Sequence, residues 1–396
     1  MKFIRLVLAA ACAVCLVSLA EAADKKILIL AGKVSHGPGD HEFRAGSLLL
    51  KKCLDGVPGL RVEVHPNGWP TDPSAFNDVD AVLIYADWGG GHPAIQADRL
   101  KFIDSLVKKG VGIGCAHYGV EVPKGDPGEA MHRWIGGHYE HQYSVNPMWK
   151  PEFNTFPKHA VTSGVKPFAL VDEWYFNMRW KPDMSGITPI LVAKPSEKVR
   201  KGPYVYPAGP YEHVVAAAGR EETMMWTYER PDGGRGFGFT GGHKHVNWHN
   251  ENCRKVVLNA LLWIARMEVP ENGVSSSIKP AEMPQNLDPK NTSAGAVNLT
   301  GTWQFEVETP NGKGTPEFKI VHAGQNLIGH YKGLLGEAEV TGGVSKEKDF
   351  RMHFTVSREG EDIPVTYTGT LENGGAMRGK VTFGELGEGT WTAKRQ

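Results

Sequence analysis

The sequence predicts two domains of different class: a doubly wound α/β domain over residues 24–270, then a small all-β barrel or sandwich over 297–396. Three observations carry this. Apolar runs such as Lys26–Gly32, Asp80–Ala86 and Gly110–Ala116 lack alternation and are separated by helical spacing, as in parallel sheets buried on both faces. From residue 297 the pattern changes to period two, broken by glycine-rich turns at intervals of roughly ten residues. Between the two lies an aperiodic stretch, 271–296, that contains Pro280, Pro284 and Pro289 and reads as a linker. At 396 residues the chain is also longer than one ordinary domain.

Residues 1–22 read as a signal peptide: Lys2 and Arg5 lead, Leu6 to Leu19 form an apolar core, and Ala20-Glu21-Ala22 makes a small-x-small cleavage site. A secreted or periplasmic location is therefore expected. No other stretch approaches the ~20 apolar residues of a span, so no membrane insertion is expected. Cys53, Cys115 and Cys253 remain after the leader, an odd number without metal or redox spacing, so no disulfide framework is indicated.

Lys26–Gly32 is the first strand, followed by a polar loop from Ser35 to His41. Phe43, Leu50 and Leu54 then recur at helical spacing, and Leu60–His65 and Asp80–Ala86 are the second and third strands. A helix over Ile95–Lys109 stops at Gly110, and the fourth strand runs into a Cys115-Ala116-His117-Tyr118-Gly119 tip. This order implies a parallel sheet with right-handed crossovers. From Gly125 to about Pro210 the rhythm loosens, and the abundance of aromatics argues for functional loops over disorder. Thr223–Tyr228 and Gly236–Thr240 are late strands, and Val256, Val257, Ala260, Leu261, Ile264 and Met267 mark a closing helix. In the second domain Gly301–Val307, Glu317–Val321, Asn326–Tyr331, Ala338–Gly342, Phe350–Val356 and Val365–Leu371 alternate as strands.

The formal net charge is zero, which gives no electrostatic footprint for nucleic acid or an anionic membrane. Of sixteen histidines, all but His322, His330 and His353 fall in the first domain. His36 and His41 follow the first strand, His117 ends the fourth, His138 and His141 lie in Gly136-Gly-His-Tyr-Glu-His, and His243 and His245 follow the Gly236 strand. Strand ends of a doubly wound sheet converge, so these groups can meet across large sequence separations. Three chemistries compete for them. Cys115 with His243 as base would be a nucleophilic pair. Imidazoles with Glu173 would bind zinc or a similar divalent ion. Histidines and aromatics alone would perform acid/base work or bind a sugar. Cys115 precedes the strand tip and points into the core, which moves the weight to His117.

The first domain resembles the trehalose-utilisation (ThuA-like) family. The matching pieces are Gly110-Val-Gly-Ile-Gly-Cys-Ala-His117, Trp134-Ile-Gly-Gly-His138, His159-Ala-Val-Thr-Ser-Gly164, Asp172-Glu-Trp-Tyr175 and Gly241-Gly-His243. The resemblance implies a flavodoxin-like fold of the class I glutamine amidotransferase-like group, without glutaminase activity, and a role in sugar utilisation that includes oxidised (keto) glycosides. The sequence departs from the family at Ala160, where proline more often follows the histidine, and is rich in polar groups over Gly242–Trp248, which points to an altered pocket. The second domain looks only generically like a lipocalin-type barrel.

The resulting expectation is an exported enzyme acting on a carbohydrate as a hydrolase, lyase or isomerase. His117, His243 and Glu173 are the catalytic candidates. His36, Tyr118, His138, His141, Asp172, His245, Asn247 and Trp248 are the substrate-binding candidates. If a metal such as zinc is present, His117, His138 and His243 are its ligands. The alternative is a non-catalytic exported glycan-binding protein.

Overall fold

The computed structural model describes residues 24–290, 298–345, 349–358, 361–372 and 375–396. The expected leader, 1–22, and residues 291–296 of the expected linker lie outside the described residues.

The first domain is built on a sheet of seven strands: β1 (Lys25–Ala31), β2 (Leu60–His65), β3 (Ala81–Tyr85), β4 (Gly112–Ala116), β5 (Ile187–Ala193), β6 (Glu222–Glu229) and β7 (Arg235–Phe239). Their spatial order is β5-β6-β7-β4-β3-β1-β2. Five strands are parallel, and β6 and β5 add antiparallel at one edge. The apolar runs lack alternation because successive residues enter two different cores. Ile27, Ile29, Leu83 and Tyr85 pack on one face under α1 (Phe43–Leu54) and the closing helix Glu251–Ile264. Leu28, Leu30, Val82, Ile84 and Cys115 pack on the other, under α2 (Arg99–Lys108) and α3 (Asp126–Trp134). The small residues of β4 have a steric cause: a Cβ at Gly112 would lie 2.2 Å from the Ile264 carbonyl oxygen, so the closing helix could not approach.

Four stretches up to residue 290 differ from the sequence reading. β5 falls in the stretch read as loops, because Pro189 interrupts it; the ladder slips between Pro189 and Leu191, which an edge strand tolerates. The helix expected from Ile95 begins at Arg99, and Met267 lies beyond the end of the closing helix. The described part of the expected linker is a strap on the first domain: Val274, Ile278 and Met283 are buried in the same core as α1. Single apolar anchors four or five residues apart hold it, a spacing that yields no periodic signal.

The second domain is a closed antiparallel barrel of eight strands: β8 (Gly301–Thr309), β9 (Glu317–Ala323), β10 (Asn326–Gly333), β11 (Gly336–Val344), β12 (Asp349–Arg358), β13 (Glu361–Leu371), β14 (Met377–Phe383) and β15 (Glu388–Arg395). Pairing of β8 with β15 closes it. β14 and β15 are the two strands the sequence pattern does not announce: Arg378, Gly379 and Lys380 separate Met377 from Val381, and β15 has only Trp391 and Ala393 buried. Phe305, Phe318, Tyr367 and Trp391 fill the interior against one another. Val321 and Ala323 of β9 belong instead to the first domain's core, so the two domains share apolar packing.

Leu83 lies fully buried at the centre of the sheet. Replacing it by alanine is expected to lower stability by about 2–5 kcal/mol, measurable as a shifted urea midpoint followed by tryptophan fluorescence.

Candidate metal centre

The carboxyl ends of four adjacent strands, β7, β4, β3 and β1, deliver the site. The loop after β1 carries His36, Asp40 and His41; Asp87 follows β3; His117 follows β4; Thr240 and His243 follow β7. The insertion between α3 and β5 supplies Glu173, on a two-residue ladder with Met148 and Trp149. His41, His117, Glu173 and His243 are all buried, and one ligand atom from each lies within 4.8 Å of the others.

The hydrogen-bond pattern fixes which nitrogens face inward. His117 Nδ1 is 3.0 Å from the Thr240 carbonyl oxygen, an obligate acceptor, so Nδ1 carries the proton and Nε2 a lone pair. His41 Nδ1 donates to the Asp87 carboxylate at 2.9 Å, which again leaves a lone pair on Nε2. These two lone pairs meet at 2.9 Å. His41 Nε2 is also 3.0 Å from His243 Nδ1, which lies 2.6 Å from Glu173 Oε2. The same carboxylate oxygen is 3.7 Å from His117 Nε2. Two imidazole lone pairs in contact repel unless a proton or a cation lies between them. The spacings bracket the ~3.3 Å that separates neighbouring ligands of a tetrahedral zinc at ordinary bond lengths. Imidazoles whose outer N–H groups are bonded to a carboxylate and a carbonyl are also the usual surroundings of metal-bound histidine. The residues therefore fit a divalent transition ion such as zinc.

The backbone is strained at the same place. His36, His41 and His117 have φ of +57°, +48° and +50°, a left-handed conformation that side-chain-bearing residues seldom adopt.

Burial, reinforced by His243, keeps His117 neutral with a pKa near 3, although Glu173 works the other way. Burial also opposes the charged form of His243, but its bonds to Asp40 and Glu173 outweigh that and hold it at about 10. Burial, and secondarily the Glu173 charge, push Glu121 up to about 9, so this carboxyl is protonated at neutral pH.

Of the groups expected from the sequence, His117, His243 and Glu173 converge. His36, Tyr118 and His141 stand at the approach to them. His36 stacks on His41 at 3.6 Å, Tyr118 faces Trp88, and His141 stacks on Trp88 with its Nδ1 3.8 Å from Glu121. Five expected groups have other surroundings. His138, named as a third metal ligand, is buried beside His132 and close to Gly128, outside the converging set. Asp172 accepts from the backbone of Gly242 and Lys244 and so anchors the loop that carries His243. His245 bonds the Met283 carbonyl, Asn247 the Val171 carbonyl, and Trp248 packs against Tyr85 and Phe239. Each ties the β7 loop to a neighbour. Cys115 is fully buried and its thiol pKa is raised by that burial, so it presents no nucleophile.

His41, Asp87 and Glu121 are absent from the sequence-based assignment. His41 stands in the polar loop after the first strand, but nothing separates it there from His36. Asp87 and Glu121 each follow a strand tip and carried no motif of their own.

Two outcomes follow. Asp87→Ala should weaken zinc binding about 10–100-fold in a calorimetric titration, because His41 loses the partner that orients it. His92 and His245, both buried and held near 4, bind protons in the unfolded chain at about 6.5 and not in the folded one. Their folded pKa values are depressed, so their contribution to stability is present above pH ~6.5 and is lost as pH falls towards 4; urea midpoints measured across that window should decline.

No curated protein matches the chain. Among solved structures it is similar to a ThuA-like protein from Bacteroides uniformis ATCC 8492, with 14% identity, 62% of this chain and 93% of that chain covered, and a TM-score of 0.43. It is also similar to a de novo designed fluorescence-activating β-barrel, with 13% identity, 25% and 94% covered, and a TM-score of 0.22. The ThuA profile, described as trehalose utilisation, matches residues 34–264, more than half of the chain. The chain therefore belongs to the ThuA, or trehalose-utilisation, family.

Proposed function

We propose that the protein is an exported carbohydrate-processing enzyme whose site holds a divalent metal on His41, His117, His243 and Glu173. The observation that carries the metal is the 2.9 Å approach of two inward lone pairs whose outer nitrogens are already bonded. Family membership supports a carbohydrate ligand, and the leader pattern in residues 1–22 supports export.

A bound ion there supplies Lewis-acid polarisation of a sugar oxygen. The chain's own residues perform the rest. Tyr118, Trp88, His141 and the exposed Tyr206 offer ring faces at the approach, suited to the apolar faces of a pyranose. Glu121 keeps a proton available at neutral pH, and Tyr175 places its hydroxyl 3.3 Å from His117 Nε2. An oxidised (keto) glycoside suits this set best, because its carbonyl gains most from polarisation beside a proton donor. The reaction class is hydrolase, lyase or isomerase.

A second reading rests on the short His243–Glu173 contact. Without a metal, His243 is an imidazolium paired with Glu173, and the two act as acid and base.

The test is turnover of trehalose and its keto derivative by purified protein before and after chelation, with His117→Ala in parallel. Turnover of the keto glycoside should fall at least ~100-fold in both cases and return when zinc is added back to the wild type. Full turnover after chelation, lost in His117→Ala, would select the metal-free reading. Full turnover in His117→Ala would contradict both.

A further inference from the structure

We propose that the C-terminal barrel is a positioning part of the site: its β9–β10 turn fixes the loop bearing His41, and Asn326 orients His243 through Asp40. This rests on the reading of His41 and His243 as members of one centre. Residue 326 lies outside the 34–264 segment that matches the family, so the family pattern does not account for it.

The loop from Gly32 to Glu42 leaves β1 and lies against the barrel. Gln325 donates its backbone N–H to the Pro38 carbonyl at 2.8 Å. The Asn326 amide donates to Asp40 Oδ1 at 2.7 Å, and that same oxygen lies 3.5 Å from His243 Nε2. A barrel side chain is therefore bonded to the carboxylate that faces the outer nitrogen of a proposed ligand. Asn326 is buried, so water does not readily replace it.

The approach is backbone to backbone. Gly39 and Gly324 both have left-handed φ, +88° and +66°. A Cβ at Gly324 would lie 2.2 Å from Gly39 N, and one at Gly39 would lie 2.5 Å from the Ala323 carbonyl oxygen. The loop also joins the rest of the site: His41 donates its N–H to the His243 carbonyl and His245 donates to the Gly39 carbonyl, each at 2.9 Å. Val321 and Ala323, which precede the turn, lie in the first domain's core and hold the turn in register. Movement of the turn thus moves the loop that holds one ligand and the carboxylate that faces another.

The experiment uses full-length Asn326→Ala, titrated with Co²⁺ and followed by its visible absorption, with imidazole ¹⁵N spectra of the metal-free protein. Leu334→Ser, at an exposed barrel position, is the control. Asn326→Ala should bind Co²⁺ about tenfold more weakly, with an altered visible band, while its circular dichroism stays that of the folded wild type. Its His243 nitrogen signals should move while those of His92 stay in place. Wild-type Co²⁺ affinity, visible band and His243 signals in Asn326→Ala would overturn the proposal. If the wild type binds no Co²⁺, the metal reading fails, and the His243 signals alone decide: displaced by the substitution they support positioning, unmoved they refute it. Should Asn326→Ala fail to fold, Asn326→Ser is read by the same signals.

Discussion

Two imidazole nitrogens held 2.9 Å apart, each with its lone pair turned inward, are the constraint around which the first domain is arranged. Left alone, such a contact is repulsive, so the surroundings must enforce it. They do so from outside the pair: the Thr240 carbonyl fixes one ring and Asp87 the other. Both rings sit on left-handed backbone, a conformation maintained by the packed strand ends beneath. The parallel sheet is what makes this feasible. β7, β4, β3 and β1 are neighbours, and each ends at the same edge with one part of the arrangement.

The remaining groups divide the electrostatic work. In the metal-free chain His117 is kept neutral by burial, His243 is held charged by Asp40 and Glu173, and Glu121 is kept protonated. Two imidazoles of the same intrinsic strength are thus driven to opposite states within one cluster, with a protonated carboxyl near it, the pattern expected of a site that must both donate and accept protons. Asp172 serves a different purpose, since its oxygens accept from the loop backbone and hold His243 in place.

Much of the fold was legible because burial on both faces of a parallel sheet leaves unalternated runs, and burial on one face of a barrel strand leaves alternation. What escaped among the strands named was β5, an edge strand broken by proline, and β14 and β15 of the barrel, where glycine, charge or threonine stands beside few inward residues. The site was legible at strand tips. His117 and His243 follow the small and glycine-rich residues that strand ends require, and Glu173 stands in the Asp172–Tyr175 stretch whose resemblance to the family brings it to notice. His41 and Asp87 could not be singled out, because their roles depend on which strands are neighbours in space. His138 is the reverse case: a glycine-flanked histidine near a turn has the same local signature whether it reaches the centre or, as here, packs beside His132. The role of the barrel was the least legible of all, because a turn that clamps another domain reads the same as any other hairpin.

The most direct test of this account is X-ray absorption at the zinc edge of the purified, zinc-loaded full-length protein. The expected shell is three imidazole nitrogens and one carboxylate oxygen at about 2.0–2.2 Å, with a further exchangeable oxygen at the position a sugar oxygen would take, and no sulfur. Failure to retain zinc, or a shell containing sulfur or fewer than three imidazoles, would contradict it.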